Sequence, residues 1–239
     1  MRNIPEQAHQ NHPFSSTRSS QFRELLKKYR HAWILSYFIL YLGWFTLLEH
    51  KVTSNFHVIH LAVDDYIPFL EIFIVPYLLW FLYVAAAVCY FFFTDVRGYY
   101  KLCTFLFVGM TVFLIVSTVY PNGHYLRPSV FSRNNVFTFL TQCLYSIDTA
   151  TNLFPSIHVY NSLGVHLAIS RSERLKNNRF IQIGSGILMT SIILSTMFLK
   201  QHSVFDVLTA FGLALLMNYL VYVRVPQTDR RKSAWMLPR

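Results

Sequence analysis

Apolar residues run along most of this chain in stretches that approach the roughly 20 residues a helix needs to cross a hydrocarbon core about 30 Å thick. Read from the N-terminus, the pattern predicts helices over 32–48, 67–93, 102–120, 157–170, 181–199 and 203–223. The second contains Pro68 and Pro76, which a membrane helix tolerates when neighbours satisfy the carbonyls that proline frees. The fourth is short and carries His158, Asn161, Ser162 and His166, so it fits only the middle of a bundle, facing other helices and water. The expected fold is all-α, an integral membrane bundle of six transmembrane helices. Its membrane domain covers residues 32–224, between a basic N-terminal segment, 1–31, and a basic tail, 225–239.

Two segments outside these spans also have helical periodicity. Phe22, Leu25, Leu26 and Tyr29, set among Arg23, Lys27, Lys28 and Arg30, predict an amphipathic helix on the anionic inner leaflet. Val136, Phe139, Leu140, Cys143, Leu144 and Ile147 repeat at three and four residues and predict a second interfacial helix, in an outer loop. There it could shield a site or guide a lipid towards it.

Composition supports lipid as the solvent: 54% of the 239 residues are apolar and 13% are charged. The net charge of +10 is distributed by membrane side, so it implies a bilayer partner and no nucleic acid. With the N-terminus cytoplasmic, 17 of the 21 basic residues fall on inner segments, leaving Lys51, Arg127, Arg133 and Lys200 outside. That asymmetry predicts both termini in the cytoplasm. The first thirty residues have no apolar signal-peptide core, so no processing is expected. Cys89, Cys103 and Cys143 fall in or near separate apolar segments and form no disulfide framework.

Six spans place three polar motifs on one outer surface. In 121–128, Arg127 offers a planar fork of donors suited either to phosphate oxygens or to a headgroup anchor. In Phe154-Pro155-Ser156-Ile157-His158, proline in the first turn starts a helix whose free N–H groups, at Ser156 and Ile157, suit an anion. His158, one turn in, can act as a general acid, the alternative being a packing histidine on a capped helix. In 200–206, His202 and Asp206 lie four apart and share a helix face. Asp206 could fix the tautomer of His202 and leave its other nitrogen nucleophilic, with Lys200 supplying a cation; a purely structural pair is the alternative.

These residues resemble the type 2 phosphatidic acid phosphatase superfamily, whose motifs are Lys-x6-Arg-Pro, Pro-Ser-x-His and Ser-Arg-x5-His-x3-Asp. Pro155-Ser156-Ile157-His158 matches fully, Arg127-Pro128 matches the end of the first motif, and Ser195, His202 and Asp206 match the frame of the third. The likeness covers roughly residues 100–220. The local strings look most like a bacterial subgroup related to inositolphosphorylceramide-synthase-like proteins. The resemblance implies a six-helix fold, no metal or other cofactor, and a lipid phosphate or pyrophosphate substrate at the outer face of a bacterial plasma membrane. In it His202 would form a phosphohistidine, His158 would protonate the leaving group, and Arg127, Lys200 and the Ser156–Ile157 helix start would hold the phosphoryl oxygens. Two family cations are replaced, by Tyr120 and Thr196, and Lys200 is the candidate to make up the deficit. That departure keeps open transfer to an alcohol rather than water, and a non-enzymatic lipid binder or transporter.

Other polar residues lie near this surface. Glu71, an acid about a turn inside the second span, is expected to pair with a motif cation or a headgroup, or to be protonated in one hydrogen bond between helices. Tyr120 and Asn152 are candidate supporting or headgroup contacts. His57, His60 and Asp64, with His50, His124 and Asp65 near in sequence, have spacings compatible with zinc, although interfacial imidazoles and aspartates need no metal.

Overall fold

The computed structural model describes residues 14–52 and 55–224; the expected basic tail, 225–239, lies outside them. An N-terminal unit contains helix α1, Phe14–Lys28, and the 3-10 turn Arg30–Ser36. The helix begins before the segment its pattern marked, and Phe22, Leu25 and Leu26 stand exposed along it beside Lys27 and Lys28.

The second unit holds α2 (Tyr37–Lys51), α3 (Ile74–Thr94), α4 (Val96–Val119), α5 (Val136–Ile147), α6 (Ile157–Arg171), α7 (Arg179–Phe198) and α8 (Val204–Asn218). A π turn, Tyr219–Val223, extends the last. Five segments are long and apolar enough to cross a membrane: Arg30–Lys51, Glu71–Thr94, Val96–Val119, Arg179–Phe198 and Val204–Val223. Leu40, Leu82, Ile115, Ile183 and Leu215 stand exposed on them, an apolar exterior that water would not favour. This is an integral membrane protein with an all-α bundle.

The remaining expected span, the fourth, is α6, and it differs from the others. Its 15 residues extend about 22 Å, short of a full crossing. It packs against α3, α4, α7 and α8, which enclose His158, Asn161 and Ser162 as its polar sequence demands. Its approach to α4 is close. A Cβ at Gly109 would lie 1.9 Å from the Tyr160 ring, which stacks on Phe105 at 4.7 Å and donates its hydroxyl to the Phe105 carbonyl at 2.8 Å.

Two helix starts differ from the pattern. Helix α3 begins at Ile74, after a 3-10 turn, Glu71–Phe73, so Pro68 precedes it and Pro76 sits in its first turn, where the missing N–H breaks no helical bond. Helix α4 begins six residues before the predicted start because Asp95 caps it, accepting from the N–H groups of Arg97 at 3.1 Å and Gly98 at 3.0 Å.

At the motif-bearing end, the connections form a small sheet that the all-α reading did not contain. β1, His57–Val58, pairs in parallel with β2, Asn122–Gly123, and Gly123 bridges to Thr151 on the other side. Buried Asn122 secures it, accepting at Oδ1 from the N–H groups of Leu153 and Phe154 and donating to the Tyr120 carbonyl. A Cβ at Gly123 would fall 2.6 Å from the Ala150 carbonyl, so the close pairing requires glycine there. Helix α5 packs against the 3-10 turn Glu71–Phe73 and α3 with its apolar stripe divided. Phe137, Leu140 and Leu144 pack onto Ile74, Tyr77 and Leu199, while Val136, Phe139 and Ile147 remain exposed.

Candidate active site

The turn from α7 to α8 carries the third motif and is built as a Schellman motif. Lys200 N–H bonds the Met197 carbonyl and Gln201 N–H the Thr196 carbonyl, each at 2.9 Å, with Lys200 at φ 51°, where glycine is usual. The N–H of His202 also reaches the Thr196 carbonyl, at 3.0 Å. Ser203 then caps α8, and Asp206 reaches back to the Ser203 N–H at 3.0 Å in a capping box. His202 is thus fixed by backbone geometry on both sides.

Asp206 Oδ2 lies 3.5 Å from Nδ1 of His202, an ion-pair distance longer than an ordinary hydrogen bond. Both side chains are buried, and neither His202 Nδ1 nor Asp206 Oδ1 has a hydrogen-bond partner. The contact through Nδ1 leaves Nε2 as the nitrogen available to a ligand.

His158 stands across from this pair, its ring centroid 5.7 Å from that of His202. It lies between the rings of Tyr77 at 4.6 Å and Trp80 at 4.3 Å, both from α3, and its Nδ1 is buried without a partner. Ser156 caps α6, accepting from the Val159 N–H at 3.4 Å, which leaves its own O–H free to donate. The Ser156 N–H, expected to be free for an anion, instead donates to the Asp206 carbonyl at 3.3 Å and so joins the starts of α6 and α8. Ile157 opens the helix; its N–H and that of His158 belong to a first turn without intrahelical acceptors.

Arg127 is clamped. Nη1 donates to the Asp148 carbonyl at 2.7 Å, Nη2 to the Thr149 carbonyl at 2.9 Å and to Gln201 Oε1, and the guanidinium lies 4.4 Å from the Tyr145 ring centre. Its Nε is buried without a partner. Burial lowers the Arg127 pKa against the pull of Asp148, and burial raises that of Asp148 against the pull of Arg127 and His202. Asp148 Oδ2 accepts from the Tyr77 hydroxyl at 3.2 Å, so one tyrosine touches both the acid and His158. His124 ties the first motif to the third. Its Nδ1 accepts from the Leu126 N–H at 3.2 Å, which makes Nε2 the donor to the Gln201 carbonyl at 3.0 Å. Burial pushes its pKa down to about 4, so it is a neutral strut.

The structure therefore brings together His158, His202, Asp206, Ser156, Ile157 and Arg127, through contacts that link all three motifs. The remaining candidates are placed elsewhere. The ammonium of Lys200 donates at 2.7 Å to the backbone carbonyl of Asp64. Tyr120 stacks on His57 at 4.2 Å and is substantially exposed. Thr196 turns its hydroxyl back to the Ile193 carbonyl. Asn152, at φ 55°, donates to Glu49 Oε1 at 3.0 Å and keeps a buried, unpartnered Oδ1. Glu71 pairs with Arg133 at 3.2 Å and Asn135 at 3.1 Å, so its cation comes from the connection between α4 and α5 and not from a motif. The zinc-like spacing disperses: His57 stacks on Tyr120, His60 pairs with Asp65 at 2.9 Å, and Asp64 turns to α8. Among the described residues no group of three or more metal-ligating side chains comes together.

Sequence reasoning missed Asp148, Gln201, Tyr77 and Trp80, and saw in His124 only a remote metal ligand. Asp148 carried a usable signal, as the lone acid ending an amphipathic helix between two motifs. The aromatic pair had none, because 37 Phe and Tyr residues mask any two of them. Comparison with protein-family models, curated proteins and solved structures returned no match.

Proposed function

We propose that this protein is a lipid phosphate phosphatase that hydrolyses a phosphomonoester or pyrophosphate of a membrane lipid through a phosphohistidine at His202. The observation that carries the reading is the facing of His158 and His202, 5.7 Å apart, with Asp206 behind the second and Arg127 held on the same turn through Gln201. Phosphoryl transfer needs little beyond such positioning and charge stabilisation. Nε2 of His202 attacks phosphorus, the bond to the lipid oxygen breaks, and protonated His158 gives that oxygen its proton. Water then attacks the phosphohistidine, neutral His158 takes a proton from it, and the N–P bond breaks to release phosphate and restore both histidines. No metal takes part, as the resemblance to the phosphatidic acid phosphatases implies. Arg127 and the start of α6 hold the phosphoryl oxygens.

The proposal includes topology. Helix α6 is the sixth crossing, completed by polar neighbours rather than by its own length, and both termini are cytoplasmic. The site faces outward, from a bacterial plasma membrane on the same resemblance.

One observation favours a second reading, transfer to an alcohol. Arg127 has the carboxylates of Asp148 and Glu49 as electrostatic neighbours, and Lys200 is turned to Asp64. Few free cations suit a singly charged phosphodiester better than a doubly charged monoester. The test is turnover of lipid phosphomonoesters, pyrophosphates and phosphodiesters by purified wild-type and His202→Ala protein, with free phosphate and transferred headgroup measured separately. Phosphate release supports hydrolysis, headgroup transfer supports the second reading, and equal behaviour of both proteins removes both.

A further inference from the structure

The 3-10 turn Ala62–Tyr66 lies on the connection between α2 and α3, far in sequence from His202, yet it grips both flanks of that residue. Asp64 Oδ2 accepts from the Ser203 hydroxyl at 2.6 Å and Oδ1 from the Val204 N–H at 2.8 Å. Its backbone carbonyl accepts from the Lys200 ammonium at 2.7 Å. A further bond, from the Leu61 N–H to Oδ2 at 2.8 Å, fixes the carboxylate in its own turn. Asp64, Lys200 and Ser203 are 2%, 9% and 0% exposed, so water does not compete for these bonds.

Lys200 makes the arrangement more telling. It occupies the left-handed position of the Schellman motif, at φ 51°, where a residue with a Cβ is strained. Glycine would make the turn without that strain but would lack the ammonium that Asp64 holds. His202 lies between the two anchored residues, and its Nδ1 stands 3.5 Å from Asp206, where a small rotation changes the contact.

We propose that Asp64 is a positioning residue for His202, locking the nucleophile-bearing turn through Lys200 on one side and Ser203 on the other. This rests on the phosphotransfer reading of His202. It assigns Lys200 to the latch rather than to the phosphate. A misplacement of about 1 Å can cost about 100-fold in rate, so the effect belongs in kcat.

The experiment compares Asp64→Asn, Lys200→Gly and Ser203→Ala with wild-type protein in detergent, using a lipid phosphate that the wild type turns over. Folding is checked by gel filtration and melting temperature. The latch predicts kcat lower by 10- to 100-fold in Asp64→Asn and Lys200→Gly with KM within about threefold, and a smaller loss in Ser203→Ala. Lys200→Gly separates the roles: a phosphate cation would raise KM, and a purely structural turn would keep kcat because glycine suits its backbone. An activity-independent arm records ring-nitrogen resonances of labelled histidine. Asp64→Asn and Lys200→Gly should shift the His202 signals and leave those of His166 in place. Wild-type kcat with unmoved His202 signals, or a change confined to KM, overturns the proposal. A wild type inactive on every lipid phosphate, with His202 signals still shifting in the variants, defeats the phosphotransfer reading and leaves the latch standing.

Discussion

At the scale of single residues, the site depends on groups whose charge the fold controls. His124 is the clearest case, because both ring nitrogens are engaged and burial holds its pKa near 4 against 6.5 when unfolded. The folded state then binds fewer protons than the unfolded chain between those values, so His124 contributes stability above pH 6.5 and loses it as pH falls towards 4. The effect is on the order of 2–4 kcal/mol. Melting temperature in detergent is expected to rise from pH 4 to 6.5, and a His124→Gln variant is expected to have a shallower slope over that interval. Identical slopes would show that His124 is not the buried neutral strut described above. The motif residues were legible because their spacing is short and their chemistry unusual in an apolar segment. Asp64 was legible only as a misplaced zinc ligand, since its partners Lys200 and Ser203 lie more than 130 residues away.

At the scale of elements, the apolar pattern located the helices better than it located their ends. Helix α3 was extended over Pro68 because its preceding loop is as apolar as the helix, and α4 was shortened because Arg97 and Lys101 read as loop although Asp95 caps a helix through them. The two-residue strands gave no signal, since a period of two needs more residues to be visible. Helix α5 was found, but which of its apolar residues face the core depends on α3 and Leu199, which its own sequence does not contain. The α4–α6 contact supplies a prediction for this scale. A Cβ at Gly109 overlaps the Tyr160 ring, so Gly109→Ala should force these helices apart and cost about 1–3 kcal/mol. A melting temperature equal to that of the wild type would show that α6 is less tightly enclosed.

At the scale of the whole molecule, four of the five helices of membrane-spanning length pack around a shorter, polar one, and three distant motifs meet where that helix begins. The proposed orientation is testable with single cysteines in a cysteine-free background. Asn134→Cys should react with a membrane-impermeant maleimide in intact cells and Arg174→Cys only after permeabilisation; the reverse pattern would invert the topology. The central claim, phosphoryl transfer through His202, is tested most directly by turnover of lipid phosphates by wild-type and His202→Ala protein purified side by side. The account predicts steady phosphate release or headgroup transfer by the wild type and a loss of about 10⁴-fold or more in the variant. Equal rates for the two proteins would contradict it.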